Sequence, residues 1–196
     1  MRRLTQSILF LLAVASCPAQ MMPMGLTAKA MLVQIPEIKK ELKVTKDQSK
    51  EIQKLMTDLQ ADPSLLGGRP NMHYTMKGFD LQIVKVLDEG QNARLFEIFL
   101  QENGFLCLTE PEVSEKLGLK PEVLEKAVAL IDKLMDDEMA VFAEAQKSKK
   151  YDLKQIDTLK AQAQKDIAAL LNEEETKTWE TMKGKPFKFP KMMRKS

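Results

Sequence analysis

The sequence predicts an all-α fold of two related helical halves, each built from amphipathic helical hairpins, with the longer hairpin in the second half. Three observations predict it. Lys, Glu, Leu, Ala, Gln and Met are abundant while aromatic residues make up only 6% of 196, a balance that favours helices over a sandwich or barrel. Apolar residues recur at helical spacing behind helix-start signals. The stretch Pro36–Gln48 (PEIKKELKVTKDQ) has a counterpart 75 positions later at Pro111–Val123 (PEVSEKLGLKPEV).

Residues 1–19 are set apart from the fold. Arg2 and Arg3 precede an apolar run, Ile8–Ala15 (ILFLLAVA), which is too short to span a bilayer and is followed by small residues. This is the pattern of an export signal. Cleavage after Ala19 yields a soluble form beginning at Gln20. The stretch Val14–Cys17 also has the form of a lipobox, in which case Cys17 carries lipid and the protein is anchored. The expected location is the periplasm or cell envelope. Loss of residues 1–19 removes two Arg and no acid, leaving 28 basic residues against 28 acidic, so no nucleic-acid partner is expected. Cys107 then becomes the one cysteine certain to remain, and no intramolecular disulfide is expected.

Residues 20–27, with Met21, Met22 and Met24, read as a linker. The first repeat spans 28–104. A short apolar helix begins near Thr27, and Pro36 opens a second at its first turn. Thr45 and Gln48 form a capping box before a helix carrying Ile52, Leu55, Met56 and Leu59 at helical spacing. Asp62-Pro63 stops that helix, and the Gly- and Pro-containing stretch Ser64–Thr75 reads as an irregular loop. Helical spacing resumes at Phe79, Ile83, Val86 and Leu87. Asp88 and Gln91 offer a second capping box, and Leu95, Phe96, Ile98 and Phe99 follow it up to Asn103-Gly104.

The second repeat spans 105–187. Across 31–55 and 106–130, Pro36, Glu37, Leu42 and Leu55 recur identically, and the apolar register is kept without a gap. Later the offset becomes 84, pairing Leu87–Gln91 with Leu171–Glu175. A long helix from Pro121 towards Lys149 is expected to bury Leu124, Val128, Ile131, Met135 and Phe142. A second, started by Asp152 and Gln155, is expected to bury Ile156, Leu159, Ala163, Ile167 and Leu170. Asn172 and Glu175 cap a last helix that is expected to place Trp179 and Met182 inward. Residues 188–196 form a basic tail, part of a run from Lys183 with six basic residues and no acid. Phe187 and Phe189 are expected to pack on the core.

No catalytic constellation is present in the sequence, and a non-enzymatic protein without cofactor is expected. His73 is the one histidine, and no nucleophile elbow, phosphate loop or paired CxxC accompanies it. Cys107 aligns with Leu32, which favours a buried apolar role over a reactive thiol. Met72, His73 and Met76 are soft groups that suit Cu(I), so a copper or stress sensor is the alternative reading. The favoured reading of these side chains is a hydrophobic plug. The basic-aromatic tail, like a lipid on Cys17, offers contact with a membrane surface.

The stretch VTKDQ at Val44–Gln48, behind a short helix in an exported helical chain, resembles the LTxxQ motif of the periplasmic Spy/CpxP superfamily. The wider pattern PEIKKELKVTKDQ, LDEGQNARLFEIFLQ and PEVSEKLGLKPEVLEKA resembles a duplicated form of it found in exported bacterial proteins. Thr45 and Gln48 match the motif's polar pair, Asp88 and Gln91 match it nearly, Asn172 and Glu175 more loosely, and Lys120 with Val123 has lost both. The resemblance implies a chaperone-like or stress-regulatory protein that binds a protein partner or unfolded client on a helical surface. The sequence leaves the oligomeric state open, a dimer included. It implies no catalytic residues. Related metal sensors carry several histidines, and this chain has one.

Overall fold

A computed structural model describes residues 27–62, 69–149 and 153–190; the side chains of 69–74 and 153 lie outside that description. The described residues are helical, with no strand among them. The export signal, the linker up to residue 26, Cys17, Asp152 and the tail beyond Pro190 fall outside the described residues.

Two short helices, α1 (Lys29–Leu32) and α2 (Pro36–Glu41), lead into α3 (Lys46–Ala61), α4 (Arg69–Val86) and α5 (Glu89–Asn103). A 3-10 segment (Gly104–Thr109) then runs into α6 (Pro111–Leu117), α7 (Pro121–Ser148), α8 (Leu153–Ala168) and α9 (Glu173–Met182). Helix α3 packs on α4, and α7 packs on α8. The 3-10 segment touches α5, α6, α7 and α8, and its Leu106, Cys107 and Leu108 are buried.

The start signals act as local physical chemistry requires. Thr45 Oγ1 accepts from Gln48 N and Gln48 Oε1 accepts from Thr45 N. The same exchange occurs between Asp88 and Gln91 and between Asn172 and Glu175. Each box satisfies backbone donors that a helix start leaves orphaned. Pro111 and Pro121 occupy first-turn positions where no N–H is needed.

The short helices α2 and α6 end alike. Lys43 N and Val44 N bond Lys40 O and Lys39 O; Gly118 N and Leu119 N bond Glu115 O and Ser114 O. This is the Schellman pattern, which needs a left-handed residue at its turn. Lys43 takes it at φ 52° and Gly118 at φ 65°.

Two expectations are corrected. The stretch read as an irregular loop to Thr75 is helical from Arg69 onward; Pro70 sits in the first turn, where a proline starts a helix instead of breaking one. Helix α7 does not bury the stripe read from its period. Ala127, Leu134, Glu138 and Ala145 face inward, while Val128 is 45% exposed and Leu124, Met135 and Phe142 are half-buried. The reason is that α8 and the 3-10 segment approach α7 from one side, so its inner face is rotated from its most apolar one. Two carboxylates are drawn in from the helix surfaces: Glu138 is 1% exposed, and Asp80 is half-buried.

Elsewhere Ile156, Ala163, Ile167 and Trp179 are buried, with Leu159, Leu170 and Met182 partly so. Phe187 and Phe189 pack against the core. Their segment is laid over α5: Phe187 N donates to Gln101 Oε1, Gln101 Nε2 donates to Lys183 O, and Arg94 Nη1 donates to Lys185 O.

The matched turns make opposite predictions. Lys43→Gly should raise the urea-unfolding free energy by about 1 kcal/mol, because glycine has no penalty in the left-handed region. Gly118→Ala should lower it by about the same amount, since no heavy atom lies within 4 Å of the added Cβ and only conformation opposes it.

Candidate functional site

A groove of about 400 Å³ opens between α1, α4, α5 and the start of α6. It begins with a cap supplied from another helix. Helix α1 has no side-chain cap of its own; Asp80 of α4 instead accepts from Lys29 N at 3.1 Å and Ala30 N at 2.7 Å. Burial raises the Asp80 carboxyl above its usual range, and the charge of Glu110 adds to the rise; the two backbone bonds and Lys29 act in the opposite sense.

Capping at Asp80 fixes the direction of the Lys29 side chain. Its ammonium lies 5.2 Å from the Phe96 ring centre and 5.5 Å from that of Phe99, and it bonds Glu112 Oε2 at 2.8 Å. Lys116 reaches the other carboxylate oxygen at 3.1 Å and sits 4.1 Å from the Phe96 ring centre. Glu112 thus bridges two cations that both lie against the Phe96 ring, an arrangement favourable to ammonium groups. Burial alone would raise the Glu112 carboxyl, but the hydrogen bonds and charges of Lys29 and Lys116 hold it below its usual range. Lys77 lies 3.6 Å from Glu110.

The charged rim is therefore largely neutralised by its own pairs. Its walls are apolar: Leu81 is 61% exposed and Val84 37% exposed, with Phe96, Phe99 and Val113 behind them. Such a surface can hold apolar side chains without demanding a particular charge from them.

The residues singled out in the sequence lie elsewhere. Gln48 and Gln91 meet: Gln48 Nε2 donates to Gln91 Oε1 at 2.7 Å, and Gln91 Nε2 donates to Gln48 Oε1 at 3.1 Å and to Leu42 O at 3.0 Å. The two boxes are thus welded together beneath α2. Asn172 and Glu175 stand apart at the start of α9, and Gln155 is exposed on α8. Met76 is 6% exposed in the core; the side chains of Met72 and His73 are outside the described residues. No cluster of three or more His, Cys, Asp or Glu that could hold a metal occurs among the described residues. Nor is any described helix long and apolar enough to cross a membrane.

Sequence reasoning missed Lys29, Asp80 and Glu112. One signal was available for Glu112, its alignment with Glu37. None marked Asp80, which needed the fold to bring α4 beside α1.

Comparison with known protein families, curated proteins and solved structures finds no match.

Two measurements check this site. The raised Asp80 carboxyl means the folded chain binds that proton more tightly than the unfolded chain, whose value lies near 3.8. Its contribution to stability is therefore complete at low pH and is lost as pH rises through the folded value. The stability of the wild type minus that of Asp80→Asn should fall as pH rises above the unfolded carboxyl's value near 3.8; a flat difference would contradict the assignment. Burial also pushes the Cys107 thiol up, with Glu110 adding to the effect. A thiol reagent should leave it unmodified in the native protein and modify it once urea unfolds the chain.

Proposed function

We propose that this chain is an exported, non-enzymatic binding protein of the bacterial envelope, made of two related helical halves, that holds exposed apolar segments of non-native proteins in the α1/α4/α5/α6 groove. The observation that carries the reading is the pairing of an open apolar wall, Leu81 and Val84, with a rim whose cations and carboxylates satisfy one another. A self-neutralised rim makes little charge selection. It suits weak, broad binding of apolar side chains, which is what a chaperone-like role requires. A stress-regulatory role would use the same surface for one partner.

Support for two related halves comes from quasi-equivalent contacts. Ala30 N is capped by Asp80 Oδ1, and Phe105 N, 75 positions on, is capped by Gln164 Oε1. Asp80 and Gln164 are themselves 84 apart, the offset of the later repeat. The matched Schellman turns at Lys43 and Gly118 follow the same register.

The purified exported form should suppress light scattering by a reduced, aggregating test protein. Leu81→Asp with Val84→Asp should abolish most of that suppression while leaving helicity intact, because both side chains are exposed. Equal suppression by the double variant, or none by the wild type, would end this reading.

A further inference from the structure

We propose that Asp80 is a proton-operated latch on the groove: charged, it holds the first turn of α1 and keeps Lys29 across the Phe96 and Phe99 rings, and on taking up a proton it frees that side chain and opens both rings to an occupant. This device regulates the groove read above as a binding site, and it depends on that reading. Each Asp80 oxygen has one backbone donor, Oδ1 accepting from Ala30 N at 2.7 Å and Oδ2 from Lys29 N at 3.1 Å. Protonation turns one of these oxygens into a hydroxyl, which donates where an acceptor is needed. One of the two amides then loses its partner, and the longer bond, to Lys29 N, is the one that yields.

That loss falls on the residue that covers the groove. Helix α1 runs only from Lys29 to Leu32 and has no side-chain cap of its own, and so short a helix does not hold itself together. Lys29 is fixed at two points, its backbone by Asp80 and its ammonium by Glu112 at 2.8 Å. Between them the side chain lies over two buried rings, its ammonium 5.2 Å and 5.5 Å from their centres. Without the backbone bond, only the tip is held.

The surrounding charges let Asp80 act alone. Helix α1 brings Lys29, α4 brings Lys77, and α6 and its entry bring Glu110, Glu112 and Lys116; α5 faces the groove with Phe96 and Phe99. Helix α3 also packs on α4, and none of its charged groups acts on Asp80. Burial and then Glu110 favour the proton on Asp80, against its two backbone bonds and Lys29. Burial works against the Glu112 charge too, yet Lys29 and Lys116 hold that carboxyl below its ordinary range. As pH falls, Asp80 therefore discharges while Glu112 is still ionised.

The test is a pH series with the purified exported form and a labelled, end-blocked peptide of Leu, Ser and Gly, which has no titrating group. Fluorescence anisotropy should show affinity rising by about tenfold from about pH 8 to about pH 4. Asp80→Asn cannot accept both amides, so it should bind with the higher affinity throughout. Lys29→Ala, which removes the covering side chain and keeps the backbone, should do the same. Saturating peptide should in turn raise the Asp80 midpoint, followed by carboxyl-carbon NMR, by about one pH unit per tenfold of affinity, because linkage is reciprocal. Circular dichroism shows whether each variant is folded. If Asp80→Asn is not, wild-type amide exchange replaces it: protection of Lys29 N must drop through the Asp80 titration while that of Ala30 N persists. Affinity that ignores pH, or that follows pH equally in Asp80→Asn, would overturn the latch and leave the groove standing. Absence of binding at every pH would end the groove reading and the latch with it.

Discussion

The fold depends on the burial of one short 3-10 segment. Gly104–Thr109 lies against four helices and seals Leu106, Cys107 and Leu108 from water. Its entry is held by polar contacts to distant parts of the chain. Asn103 exchanges hydrogen bonds with the Thr27 backbone, Gln164 Nε2 donates to Asn103 O, and Phe105 N donates to Gln164 Oε1. Gly104 is required twice over: its φ is +56°, and a Cβ there would come within 2.9 Å of the Gln164 amide. A buried turn of this kind is tolerable because each entry amide and carbonyl has a partner.

Around this centre, side chains on one helix repeatedly satisfy the backbone of another. Asp80 does so for α1, Gln91 for the end of α2, and Gln101 for the segment after α9. The consequence is that helices too short to stand alone, α1 and α2, become fixed parts of a surface. The groove exists because of that fixation: without the Asp80 cap, Lys29 would have no set direction over Phe96 and Phe99. Glu138 is the exception to this economy of paired groups. A carboxylate buried with one cation at 3.5 Å and no hydrogen bond is poorly compensated for its desolvation.

Local signals were legible wherever the determining contacts are close in sequence. The boxes at Thr45, Asp88 and Asn172 start helices within three residues of their partners, and Pro36 and Pro121 act through their own backbone angles. The core positions of α8 followed from helical period because α8 presents one dominant apolar face. The period of α7 misled because that helix is apolar over a wider arc than it can bury, and the choice of face belonged to α8 and the 3-10 segment. Pro70 misled because the same residue starts or stops a helix according to where the first turn falls.

By itself the sequence determined the all-helical class, most helix starts and the burial of Cys107 and Trp179, all of which rest on backbone chemistry and short-range periodicity. Tertiary structure alone decided which face of α7 is buried, that Gln48 and Gln91 bond each other, and that Lys29, Asp80 and Glu112 meet at one groove. Those contacts join residues 43, 51 and 83 positions apart. Nothing in local propensity ranks one such pairing above another; only the shared burial of the helices that carry them does.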